Sequence, residues 1–205
     1  MVQEFSPFDN EYSTEDVNPE TVHQGGKGKV EKEGWYHVQV VGVEYKAEDE
    51  GKRLPHVVVR MRILAGTEST EVDKTLYHQL YLATWNDRET HEKIVPLRSD
   101  QLRQLLAFLH AFGTVGPSVF GQESVKLTHA MYENLNDTVG VVKVIFVPNK
   151  DKKCDAEGRV YDDQYKIRWN SDAYPVDHAK VSSVPKNPDF ANYPATAPDD
   201  DVYGL

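Results

Sequence analysis

A mainly β domain carrying one long helix and flanked by two arms is the fold class this sequence predicts, and three observations predict it. Three stretches rich in β-branched and aromatic residues follow one another between Trp35 and Leu82. The hydrophobic period then changes to helical spacing in SDQLRQLLAFLHAFG. Two further β-like stretches close the pattern by Trp169. With 205 residues, 39% of them hydrophobic, the chain can bury one sizeable core but not two full ones.

The first strand is WYHVQVVGVEY (35–45), whose alternation breaks at Gly42, where a strand can bulge and bend. After the turn-like AEDEGKR, LPHVVVRMRIL alternates cleanly. Val57, Val59, Met61 and Ile63 fall on one face, with His56, Val58, Arg60 and Arg62 on the other. TLYHQLYL sets Leu76, His78, Leu80 and Leu82 opposite Tyr77, Gln79 and Tyr81. The helix places Leu102, Leu105, Leu106, Leu109 and Phe112 on one stripe, with Ser99 or Asp100 as N-cap and Gly113 as its stop. A short helix fits THAMYENL. The last two strands are TVGVVKVIFV (138–147) and RVYDDQYKIRW (159–169), joined by PNKDKKCDAEG.

Composition changes at both ends. Residues 1–33 hold eight acids and three bases, and residues 171–205 hold six acids and two bases. The middle, 34–170, carries 19 acids and 18 bases, so most of the net charge of -10 sits at the ends. Five of the eleven prolines follow Ser171, with no sustained apolar period between them. The expected organisation is therefore a flexible N-terminal arm over 1–33, a folded domain over 34–170, and a Pro-rich, acidic, flexible tail over 171–205.

Three strands, a helix and two strands, with a bend in the first, is the order of a five-stranded OB barrel. Such barrels bind oligonucleotides across strands two and three and between the loops joining strands one to two and four to five. On those elements the sequence carries Arg60, Arg62, Tyr77 and Tyr81, then Lys52 and Arg53 in one loop and Lys150, Lys152 and Lys153 in the other. Trp35, Trp85 and Trp169 are further candidate nucleic-acid-binding rings within the domain. Bases can follow a phosphate line, and rings can stack unpaired bases for about 1 to 3 kcal/mol each with little regard to identity. Taken singly, strand tyrosines are commonly half-buried sheet residues and outward Arg or Lys is commonly solvated. Their convergence on one face favours binding.

The segment 34–169 resembles phage-encoded single-stranded-DNA-binding proteins of the OB type. The likeness lies in GWYHVQVVGVEYKAEDEGKRL, VVVRMRILAG, KTLYHQLYL, the helix ending at AFG, LNDTVGVVKVIFV and DDQYKIRW. It departs at GTESTEVDK, where such proteins have a shorter, glycine-bearing turn. The resemblance implies coating of single-stranded DNA in replication or recombination, without catalysis, and leaves RNA open as a ligand. The C-terminus, PDDDVYGL, is similar to the acidic, apolar-tipped tails by which single-stranded-DNA-binding proteins recruit polymerases, helicases and nucleases, although those often end in an aromatic residue. It implies that Asp199, Asp200 and Asp201, with Val202, Tyr203 and Leu205, hold a partner. The same acids can shield an empty basic groove.

Other classes have thinner support. A single Cys154 excludes an internal disulfide and multi-cysteine zinc sites, and no HExxH or Walker loop is present, since GGKGK (25–29) lacks the spacing. Glu44 and Lys46 form the E-x-K pair of some metal-dependent nucleases, a pattern short enough to arise by chance. No catalytic residue, cofactor or metal is expected. The chain shows no membrane-spanning run and no leader pattern, which reads as soluble and cytoplasmic, in the host if phage-encoded. The alternative is a non-catalytic protein-interaction or virion scaffold module on the same barrel. Oligomeric state is not legible.

Overall fold

The computed structural model describes residues 28–47, 53–87, 93–122, 124–150, 152, 160 and 163–190. Its strands are β1 (Gly34–Lys46), β2 (His56–Gly66), β3 (Thr75–Tyr81), β4 (Ala83–Trp85), β5 (Ile94–Pro96), β6 (Val139–Val147), β7 (Gln164–Lys166) and β8 (Ala173–Tyr174). The helices are α1 (Ser99–Ala111) and α2 (His129–Glu133). The fold is mainly β, with antiparallel ladders in the order β3-β2-β1-β6-β7, β8 paired to β6, and β4 and β5 forming a separate hairpin.

Alternation decides which faces meet. Val57, Val59, Met61 and Ile63 of β2, with Leu76 and Leu80 of β3 and Tyr36, Val38 and Val40 of β1, are buried in one core. Helix α1 covers that core with Leu105, Leu106, Phe108 and Leu109. The helix begins at Ser99, so the cap position falls on Arg98, whose backbone N–H donates to Gln101 Oε1 at 3.1 Å. It ends as Gly113 leads one to expect. Gly113 takes φ 71°, and the backbone N–H groups of Gly113 and Thr114 donate to the carbonyls of His110 and Leu109. The bend in β1 is also present, as register shifts between His37 and Val38 and between Val40 and Gly42.

Along the hydrogen-bonded path the sheet is open. Among the described residues no ladder joins β3 to β7, the two ends of the path. Between them, His78 Nε2 lies 2.8 Å from Asn170 Oδ1, and the His78 ring stacks on Phe108 with centroids 5.1 Å apart. Of the strand expected over 159–169, Gln164–Lys166 forms a ladder.

The boundary expected at residue 170 is corrected. β8 pairs Tyr174 and Ala173 with Val141 and Val142 of β6. A second apolar cluster joins Val176, Val181 and Val184 to Leu64, Val139 and Val141, with Trp35, Tyr174 and Phe190 packed at its edge. Residues 173–190 therefore lie as a strap over the outer face of β1 and β6. Prolines and isolated valines have neither a helical nor a strand period, so composition alone reads them as solvated. At the other end Val30 is buried, Lys29 bridges to Thr75, and the Glu31 N–H donates at 2.8 Å to Glu71, a buried carboxylate that Lys74 also reaches. Residues 28–33 thus belong to the domain. Residues 1–27 and the tail 191–205 lie outside the described residues.

Candidate nucleic-acid interface

The exposed part of the sheet is the outer face of β3, β2 and the far half of β1. Register places its side chains in rows across the strands: Tyr81, His56, Lys46, of which His56 is buried; then Gln79, Val58, Glu44; then Tyr77, Arg60, Gly42; then Thr75, Arg62, Gln39. Paired positions share a face, so each row is a line of neighbours. Tyr77 and Tyr81 are 52% and 44% exposed, which leaves a ring face free for stacking at two positions four residues apart on one strand.

The charges on this face are not equivalent. Arg60 is exposed and its guanidinium lies on the bulge, with Nη2 donating to the Val41 carbonyl at 3.3 Å. Gly42 leaves room for it, since a Cβ there would stand in tight contact, 3.3 Å from Arg60 Nη2. Arg62 instead donates from Nε and Nη2 to Asp73 Oδ1 at 3.0 and 2.6 Å. Its charge is already paired, which sets Arg62 apart from Arg60 among the expected binding residues. Lys46 pairs with Glu44, so the E-x-K residues form a salt bridge with each other.

The remaining expected residues are scattered around this platform. Arg53 is exposed at the entry to β2, beside a cleft of about 400 Å³ that Lys46, His56, Gln79, Tyr81 and Trp85 also line. Trp85 is buried to 9% exposure at that wall, on the β4–β5 hairpin. Trp169 is 51% exposed just after β7, with the Arg168 guanidinium 5.3 Å from its ring centre. Lys150 and Lys152 are exposed after β6. Trp35 is elsewhere. Its ring sits 5.7 Å from Tyr174 and 5.7 Å from Lys143 Nζ at the edge of the strap, which corrects its expected place among the stacking rings. Lys52, Lys153, Cys154 and the tail residues Asp199, Asp200, Asp201, Val202, Tyr203 and Leu205 lie outside the described residues.

Sequence reasoning missed His56 and Gln79 as members of the site. Both were read as outward-facing, but the pairing that sets His56 opposite Lys46 lies beyond the bulge in β1, and the cleft needs Trp85 from the separate β4–β5 hairpin. It also missed the ring pair Phe146 and Tyr165, 5.1 Å apart across β6 and β7, where the only available signal was an aromatic residue in each strand. Among the described residues no three His, Cys, Asp or Glu side chains converge on a metal position, and no helix is long and apolar enough to cross a membrane.

Fold and face together define a mainly β protein that presents tyrosine rings beside arginine on an open sheet surface. Compared with known proteins, the chain matches no family model and no curated sequence.

Proposed function

We propose that the chain is an OB-type single-stranded-DNA-binding protein that coats and protects DNA strands in phage replication or recombination and recruits other proteins through its acidic tail. The observation that carries this reading is the row Tyr77, Arg60, Gly42 beside the row of Tyr81: exposed rings at stacking positions with a guanidinium laid flat between strands. Stacking platforms interleaved with cations suit a ligand that has both unpaired bases and phosphates. The reading is supported by the strand order, the bend in β1 and a helix between the third strand and β6, which agree with an OB barrel if β6 and β7 stand for its fourth and fifth strands. In a barrel β3 would close on β7, and the His78–Asn170 contact lies along that seam. Carboxylates on or beside the face, Glu44 and Asp73, hold the cationic excess low, so stacking carries more of the affinity than charge does.

The test is a fluorescence titration with oligo-dT, poly-U and duplex DNA at two salt concentrations, followed through the native tryptophans. Tight binding of oligo-dT over duplex, weakening with salt, is expected. Binding that prefers duplex, or no binding to any strand, overturns the reading. Retention of a protein partner with little salt sensitivity would favour the interaction-module alternative.

A further inference from the structure

Resting on the single-strand reading, we infer that the cleft beside Tyr81 is a pocket for one unstacked nucleobase with its phosphate, a position at which base identity is read. The rest of the face is a flat platform, tolerant of sequence. This cleft is a concavity of about 400 Å³, within the range of roughly 300 to 1,000 Å³ of small-molecule sites. Its walls suit an aromatic ring, with Tyr81 and Trp85 among them and Val58 and Leu54 supplying apolar surface. The Tyr81 ring is itself steadied by His56, 5.5 Å away and tilted by 38°.

Two polar side chains in the cleft have fixed hydrogen-bonding sense. His56 Nδ1 lies 2.8 Å from the Leu54 carbonyl oxygen, so that nitrogen carries the proton. In the neutral ring Nε2 is then an acceptor. The Tyr81 hydroxyl donates to Gln79 Oε1 at 2.8 Å, which orients the amide and leaves its NH2 group as a donor. One donor and one acceptor thus stand on adjacent rows of the same face. Counted along the pairing edge from the exocyclic group at C4 or C6, keto bases (thymine, uracil, guanine) present an acceptor and then a donor, and amino bases (adenine, cytosine) a donor and then an acceptor, with thymine and uracil adding a second acceptor beyond. A fixed protein pair fits one order and sets like groups together in the other. Arg53 at the cleft supplies the cation for the attached phosphate, the Lys46 charge being paired with Glu44.

The experiment uses the full chain, isotope-labelled with nitrogen-15, and the four nucleoside 5′-monophosphates as probes at up to millimolar concentration. The Trp85 indole N–H and the Gln79 side-chain amide resonances are followed. The expected result is saturable shifts in both, with one base class bound about tenfold more tightly than the other. Gln79→Leu, a change at an exposed position, removes the preference, and Tyr81→Ala removes binding. Oligo-dT is titrated in parallel. Oligo-dT binding without mononucleotide shifts, or equal shifts for all four bases, overturns the base pocket and leaves the strand reading standing. Selective mononucleotide binding without oligo-dT binding keeps the pocket and overturns the coating role. Absence of both overturns both.

Discussion

Gly42 shapes the candidate face by what it lacks, since a larger residue there would meet Arg60 at the bulge. Gly42→Val is therefore expected to lift the guanidinium off the sheet and flatten the salt dependence of oligo-dT binding by about 0.7 in log-log slope, the share of one phosphate. A slope unchanged in the folded variant would remove Arg60 from the contact. Tyr77→Ala should weaken oligo-dT binding by about 1 to 3 kcal/mol without changing that slope, because a ring supplies stacking and no charge; paired titrations at two salt concentrations measure it. His78, buried against Phe108 and hydrogen-bonded to Asn170, bears on stability. Burial holds its pKa down to about 4, with Lys166 adding to the depression and Asn170 opposing it. The unfolded chain takes up a proton near the usual 6.5, so the stabilisation is complete above that pH and is lost as pH falls from about 6.5 towards 4. The loss is on the order of 3 kcal/mol for this residue. His37, under the strap, is shifted in the same direction by burial. Urea midpoints measured from pH 7.5 to 4.5 should drop across that window, and less so in His78→Gln.

Among the elements, β1, β2, β3 and α1 were legible because their apolar period persists over seven or more residues. β2 shows it best, with Val57, Val59, Met61 and Ile63 all buried and Arg60 exposed. β4 and β5, at three residues each, are too short to show a period, and β8 has two. The candidate face was half legible. Tyr77 and Tyr81 could be read from alternation, whereas the ion pairing of Arg62 depends on Asp73 in a turn with φ 69°, which no local pattern announces. The strap is the largest miss, since its stabilisation comes from spaced contacts with Leu64, Val139 and Val141 instead of from its own structure. Val181→Ala should cost about 2 kcal/mol. A chain ending at residue 190 should keep the thermal midpoint of the full protein, and one ending at residue 170 should lose several degrees or aggregate. Equal midpoints for all three would mean the strap adds nothing to stability.

At the scale of the whole molecule, acid is concentrated at the two ends and the domain between is close to neutral. A tail rich in aspartate acts as an internal competitor for any cationic surface within its reach, at a concentration set by linker length. Deleting the final seven residues is thus expected to leave oligo-dT affinity equal or higher and to abolish capture of replication proteins from a host lysate. Weaker DNA binding with an unchanged set of captured proteins would assign the tail neither role. The pairing of β1 has a consequence for synthesis. One of its edges joins β2 through a short connection, and the other joins β6, with Gly34 opposite Val144. A ribosome therefore delivers the β1–β2–β3 meander long before the partner for the second edge exists. Over that interval the backbone of 34–39 is an unfilled template, open to any nascent chain of the same kind on a neighbouring ribosome. Yield of the native protein should then depend on translation density, falling as more ribosomes share a message.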